Sequence, residues 1–320
     1  MRAELLVFVN SPATAVMQAL AARFTCHHVW QVPATEKAAF IDAVAGRIQG
    51  VLTVASLGVD AGLIARLPRL EIVSLISVGY DSIDRQALAA RGIALTNTPG
   101  VLTDAVADLA TLLVLATSRR LIPADRHIRS GAWRIDQSFP LTRGVRGKTA
   151  GIYGYGRIGQ AVAARLRAFG MAIRYYQPRP VSQADAPRDA SLTALAANSD
   201  YLILCAPATE ATRGAVDAGV MRALGPDGTL INIARGSLVD EAALVACLDS
   251  GELGAAGLDV FADEPAVPRA LWSMDQVVLT PHIGSATMET REAMAQLALD
   301  NLQAHFDGVA LPSAVPPPLQ

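Results

Sequence analysis

Two α/β units, each a parallel sheet with helical crossovers, are the fold the sequence predicts, and three observations predict it. Short apolar, β-rich runs alternate with longer segments of helical period. The runs are nearly continuous in apolar residues, as strands covered on both faces are. They fall into two series parted by one long helical stretch, in a chain of 320 residues that is 52% hydrophobic and so long enough to bury two cores.

The first series is LLVFV (5–9), GVLTV (50–54), EIVSLI (71–76) and GIALT (92–96). TDAVADLATLLVLATSRR (103–120) then reads as one long helix with Thr103 or Asp104 near its start. The second series runs TAGIYGY (149–155), AIRYY (172–176), YLILCA (201–206), TLINIA (229–234), AAGLDV (255–260) and VVLTPH (277–282). A last helix is expected over roughly 286–307, and the tail LPSAVPPPLQ is too rich in proline to continue it.

Lys and Arg number 27 against 29 Asp and Glu, a net charge of −2, and no run of like charge marks a nucleic-acid or membrane surface. The expected partner is a small molecule. Cys26, Cys205 and Cys247 are scattered, with neither a disulfide framework nor a zinc spacing, so no metal is expected. The N-terminal apolar run is too short for a signal-peptide core or a membrane span and reads as a first strand in a cytoplasmic protein.

The strongest motif is GYGRIG, with Gly154, Gly156 and Gly159 directly after a strand and opening a helix. In that setting the glycines let backbone approach a pyrophosphate at a helix N-terminus, so a dinucleotide is the expected cofactor. Eighteen residues beyond Gly159, where an acid would hold the adenine ribose 2′-hydroxyl, stands Gln177, with Arg179 two residues on between Pro178 and Pro180. Loss of the acid removes repulsion toward a 2′-phosphate, and a guanidinium there can bind one. NADPH is therefore the expected cofactor, NADH a possible substitute, and Arg157 or Arg174 candidate helpers of Arg179.

Three strand ends supply further chemistry. His282 ends VVLTPH and alone among five histidines has an address at the carboxyl end of a parallel strand; His27, His28, His127 and His305 are expected to be surface or satisfied residues. Arg235 follows TLINIA, and Glu264 lies in LDVFADEP after Asp259. A cation, an acid and an imidazole make a set suited to acid–base chemistry.

GYGRIGQAVAARLRAFG, INIARGSLVDEAALVACLDSGELGAAGLDVFADEP and PHIGSAT, with SVGYDSID (77–84) and NTPGVLTDAVADLA (97–110), resemble the signatures of the D-isomer-specific 2-hydroxyacid dehydrogenases along nearly the whole chain. Within that family the likeness is to NADPH-dependent glyoxylate/hydroxypyruvate and hydroxyphenylpyruvate reductases. The resemblance implies a flavodoxin-like substrate domain of residues 1–98 and 287–320, a dinucleotide-binding domain of 99–286 inserted in it, and a homodimer in which Trp133 to Leu141 reaches toward the partner. It implies that Arg235 binds the carboxylate and carbonyl oxygen of a 2-keto acid, that His282 gives the carbonyl oxygen a proton as hydride arrives, and that Glu264 holds the other imidazole nitrogen. Val78 and Gly79 would cradle the substrate carboxylate. Thr103, Gly154, Gly156, Arg157, Ile158, Gly159, Gln177, Arg179, Cys205, Pro207, Thr212, Ala234, Asp259 and Ser285 would meet the cofactor, Asp259 at the carboxamide.

Ser82 stands where many members have asparagine and is given no role. Tyr80 is either a pocket wall or a core aromatic. Glu264 argues against a formate dehydrogenase, which carries glutamine there. A second class remains, a related NAD(P)-sensing corepressor with the same fold and no significant turnover.

Overall fold

The computed structural model describes residues 2–136 and 138–318. Gln137, inside the Trp133 to Leu141 segment, and Met1, Leu319 and Gln320, at the ends of the expected substrate domain, lie outside the described residues. The chain divides into two compact units, residues 1–102 with 286–320, and residues 103–285.

The first unit begins β1 (Glu4–Val7), α1 (Thr14–Arg23), β2 (Thr25–His28), α2 (Lys37–Val44), β3 (Ile48–Thr53), α3 (Ala61–Arg66), β4 (Ile72–Leu75), α4 (Arg85–Ala90) and β5 (Ala94–Thr96). Its strands are all parallel, in the order β2-β1-β3-β4-β5, the flavodoxin-like order. Asp60 and Asp84 start α3 and α4 by accepting the Leu63 and Ala87 N–H at 2.7 and 2.9 Å. β2 has no counterpart among the expected strands: TCHH is polar because it is an edge, exposing groups that a central strand would bury. It turns His27 onto Glu4 at 2.7 Å, a satisfied histidine.

The second unit holds α5 (Thr103–Ser118), α6 (Leu121–Arg129), β6 (Thr149–Tyr153), α7 (Arg157–Ala168), β7 (Ala172–Tyr176), α8 (Leu192–Ala197), β8 (Tyr201–Leu204), α9 (Ala218–Leu224), β9 (Thr229–Asn232), α10 (Glu241–Asp249), β10 (Ala255–Leu258) and β11 (Val277–Leu279). Its parallel sheet is ordered β11-β10-β9-β8-β6-β7. The order reverses at β6, so the ends of β6 and β8 flank the switch point where such sheets bind ligands. The expected 103–120 helix stops at Ser118, because Arg120 is left-handed (φ 47°) and a new helix, α6, starts beyond it. The last helix, α11 (Met288–Phe306), returns to the first unit, where its Ala298 carbonyl accepts the Ser74 hydroxyl at 3.1 Å. Beyond it Val315 N–H donates to Leu95 O at 2.8 Å and Ala314 bridges Thr96, so residues 313–315 lie along β5.

The second unit carries an ion pair, buried at Asp189 and partly exposed at Arg174, that fixes the segment after β7. Arg174 donates twice to Asp189, at 2.9 and 2.7 Å, and Asn198 donates a third hydrogen bond at 2.9 Å. The Arg174 hydrogen bonds hold the Asp189 carboxyl below the usual carboxylate range, against the opposing effect of burial. A depressed folded-state value contributes stability above the unfolded value near 3.8, lost as pH falls through the folded one. Asp189→Asn is therefore expected to destabilise this unit by about 1.5 kcal/mol at neutral pH, a charge-assisted hydrogen bond discounted for the partly exposed Arg174, and by progressively less below pH ~4. Thermal melts from pH 3 to 7 check it, and a pH-independent difference would remove the ion pair from this role.

Candidate active site

At the β6–α7 turn Gly154 has φ +94°, and a Cβ there would stand 2.6 Å from Ala206 N. A Cβ on Gly159 would stand 2.2 Å from Gly154 O, so only glycine lets α7 pack this close to the strand. Gly156, by contrast, is the N-cap of α7 and its Cβ direction is open, with nothing within 4 Å. The first-turn N–H groups of a helix lack intrahelical partners and carry partial positive charge. No acidic residue lies in that first turn, and Arg157 opens it. This cradle fits a pyrophosphate, with Ile158 in the same turn.

Gln177, at the end of β7, is tied to the cradle: its Oε1 accepts Tyr155 N–H at 2.9 Å, and its Nε2 donates to Arg179 O at 2.7 Å. Arg157 and Arg179 are exposed. Arg174, expected as a helper, is instead committed to Asp189, because its position inside β7 points it at the returning chain. Sequence reading missed Arg188, which donates to Gln177 O and Pro178 O, each at 3.1 Å, with its guanidinium 5.8 Å from the Tyr176 ring centre. Only a fold-back after β7 brings it there.

Across the switch point, desolvation pushes the Cys205 thiol up to about 12, so it stands as a neutral wall. Thr212 donates to Pro207 O at 2.8 Å and accepts Thr209 N–H at 2.8 Å, holding the turn that presents Pro207. Buried Asn232 closes β9, accepting Ala234 N–H at 3.0 Å and donating to Arg235 O at 2.9 Å. It was not anticipated, although an asparagine inside TLINIA is a buried polar signal. Half-buried Arg235 donates to Ala234 O at 2.7 Å.

Gly236 draws the Arg235 turn against the loop after β10: a Cβ on it would stand 1.8 Å from the Phe261 carbonyl carbon. In that loop Glu264 Oε1 accepts Phe261 N–H at 3.1 Å, and Oε2 meets His282 Nδ1 at 2.7 Å. The structure thus brings together Glu264 and His282, eighteen residues apart. An ionised carboxylate only accepts, so Nδ1 carries a proton and Nε2 is left for chemistry. His282 itself is left-handed, φ 53°, and exposed.

Asp259, 1% exposed, aims its carboxylate at the same turn, accepting the Thr280 hydroxyl at 2.7 Å and the Ile283 and Gly284 N–H groups at 2.8 and 2.9 Å. Burial pushes this carboxyl up, and those hydrogen bonds oppose it. Its evident work is to fix the His282 turn, which leaves one lone pair, on Oδ2, for a carboxamide. Thr103 opens α5 and Ser285 ends the unit just beyond Gly284.

In the first unit, the loop after β4 has its carbonyls engaged: Ser77 Oγ donates to Gly79 O at 2.9 Å and Asn97 Nδ2 to Val78 O at 2.8 Å. Tyr80 packs against the core of this unit, with the Arg85 guanidinium 5.0 Å from its ring centre, which favours the core-aromatic alternative. Ser82 donates to Ala55 O, tying the loop down.

The family model for the NAD binding domain of D-isomer specific 2-hydroxyacid dehydrogenases matches residues 111–284. Glyoxylate/hydroxypyruvate reductase A of Arabidopsis thaliana is 48% identical over 289 residues, covering 90% of this chain and 91% of the relative. Hydroxyphenylpyruvate reductase of Plectranthus scutellarioides is 46% identical over 299 residues, 93% of this chain and 95% of the relative. The NADPH-dependent glyoxylate/hydroxypyruvate reductase of Sinorhizobium meliloti, solved with NADP and malonate, matches with a TM-score of 0.88 and 40% identity, covering 98% of this chain and 97% of that one. With the motifs in order and relatives matched along nine-tenths of its length, the chain belongs to the D-isomer-specific 2-hydroxyacid dehydrogenase family.

Proposed function

We propose that this oxidoreductase reduces small 2-keto acids, such as glyoxylate, hydroxypyruvate and aryl pyruvates, to D-2-hydroxy acids, using NADPH in preference to NADH. The observation that carries the reading is the Glu264–His282 hydrogen bond of 2.7 Å beside the turn that presents Arg235. The relatives, named as reductases of glyoxylate, hydroxypyruvate and hydroxyphenylpyruvate, supply the substrate class. When bound, the reduced nicotinamide supplies hydride. Arg235 orients and polarises the keto acid through two coplanar hydrogen bonds. His282 Nε2 gives the carbonyl oxygen its proton, and Glu264 keeps the imidazole oriented through Nδ1. The Val78 and Gly79 N–H groups are the candidate carboxylate donors of the 1–98 and 287–320 domain, and the 99–286 domain carries the dinucleotide site as well as Arg235 and His282.

Asp259 would hold the nicotinamide carboxamide, and Thr103, Gly154, Gly156, Ile158, Gly159, Cys205, Pro207, Thr212, Ala234 and Ser285 would meet the dinucleotide. The chain works as a cytoplasmic homodimer; the exposed Trp133, Ile135 and Leu141 at 66%, 109% and 100% suit a partner surface. Purified protein mixed with NADPH and a panel of 2-keto acids should consume reduced nicotinamide. A corepressor that binds NADPH without turnover would give no such loss and would end this reading.

Cofactor preference is tested at Arg179 and Gln177. Charge-assisted hydrogen bonds are worth about 1.5–3 kcal/mol, so Arg179→Ala should cost roughly tenfold to a hundredfold in kcat/KM for NADPH and little for NADH. Gln177→Glu keeps an acceptor for Tyr155 N–H while adding a charge that repels a 2′-phosphate, and should shift preference toward NADH. A wild type that prefers NADH, or an Arg179→Ala variant weakened equally for both, contradicts the assignment.

A further inference from the structure

We propose that Arg188 is a positioning residue for cofactor choice: it clamps the backbone on which Arg179 stands, and so sets selectivity for a nucleotide bearing a 2′-phosphate. The inference rests on the NADPH reading above.

The segment from the end of β7 to Asp189 is a closed clasp. Tyr175 N–H donates to Pro187 O at 3.0 Å and Asp189 N–H returns to Tyr175 O at 2.9 Å, so the chain that leaves β7 comes back beside it. The Arg174–Asp189 pair seals that closure. Farther out, Asp185 accepts the Tyr155 hydroxyl at 2.6 Å and Arg167 Nη1 at 2.7 Å, which straps the clasp to α7 and to the residue between Gly154 and Gly156. The clasp is thus built on the phosphate cradle itself.

Arg188 closes its mouth. One guanidinium donates from Nε to Gln177 O and from Nη2 to Pro178 O, both 3.1 Å, the two carbonyls immediately before Arg179. Gln177 completes the tie from within, linking Arg179 O to Tyr155 N–H. Two carbonyls held by one planar group restrict the peptide plane leading into Arg179, and Pro178 and Pro180 restrict φ on either side. A preorganised arginine loses less freedom on binding an anion. The planar fork matters here, because an ammonium is a point donor that cannot span both carbonyls in one geometry.

The test reads binding of two nucleotide fragments, adenosine 2′,5′-bisphosphate and 5′-AMP, by titration calorimetry in wild type, Arg188→Ala and Arg188→Lys. The ratio of kcat/KM for NADPH and NADH is measured alongside. Arg188→Ala is expected to weaken the bisphosphate about tenfold while leaving 5′-AMP within about twofold. Arg188→Lys should restore little of that loss, and the NADPH/NADH ratio should fall in step. Should either variant melt early, Arg188→Gln, neutral but able to hold one carbonyl, takes its place and should fall between wild type and Arg188→Ala. Full rescue by lysine, an equal loss for both fragments, or no loss at all would overturn the positioning role and leave the NADPH reading standing. A wild type that binds both fragments alike would overturn the NADPH reading instead.

Discussion

Replacing His282 by Asn is expected to lower kcat/KM for keto-acid reduction by about two to four orders of magnitude, the range for loss of a positioned acid. Nucleotide binding should be nearly unchanged, because the pyrophosphate cradle lies on β6, four strands away from β11 in the sheet. Asparagine cannot act as an acid near neutral pH, so water must supply the proton. Glu264→Gln is the companion: its amide can still accept Phe261 N–H, but the negative charge facing Nδ1 is gone. The loss is expected to be about tenfold, the worth of one charge-assisted hydrogen bond. Steady-state rates of keto-acid reduction by the two variants decide it. If His282→Asn keeps wild-type kcat, the proton comes from another group.

The glycines, the apolar runs and the spacing of Arg235, Glu264 and His282 are all local, and local pattern is what a sequence displays. β7 is read at its true limits, Ala172–Tyr176, because the polar Gln177 and then Pro178 follow its apolar run at once. The other strands were read long for a reason: Ile233–Ala234, Asp259–Val260 and Thr280–His282 look like strand but have left the ladder. Ile233–Ala234 and Asp259–Val260 keep a strand-like look because they remain buried, while the backbone of all three segments turns to present Arg235, Asp259 and His282. What stayed illegible depends on returning chain. Arg174 and Arg188 are both arginines near the end of β7, and only the fold-back assigns one to Asp189 and the other to the carbonyls before Arg179. β2 was hidden by its edge position, since TCHH satisfies no buried-strand pattern.

The remaining large effect lies at Arg235 and its neighbour. Arg235→Lys retains the charge but not the two coplanar donors, and is expected to lower kcat/KM by roughly a hundredfold, with nucleotide affinity intact. Gly236→Ala leaves Arg235 unchanged in chemistry and attacks its placement. The added methyl would sit 1.8 Å from the Phe261 carbonyl carbon and 2.1 Å from its oxygen, so backbone must separate from backbone. Because Phe261 N–H is bonded to Glu264, and Glu264 to His282, that separation displaces all three functional side chains together. The expected result is an activity loss at least as large as that of Arg235→Lys, accompanied by destabilisation of several kcal/mol, the scale of backbone overpacking. Asn232, which holds both Ala234 N–H and Arg235 O, loses its geometry as well. Melting temperature and kcat/KM measured on the same preparations separate the two variants: Arg235→Lys should melt like wild type, and Gly236→Ala should not. A Gly236→Ala protein with wild-type melting and wild-type turnover would mean that the Arg235 turn and the Glu264 loop move independently, and that the set does not depend on their contact.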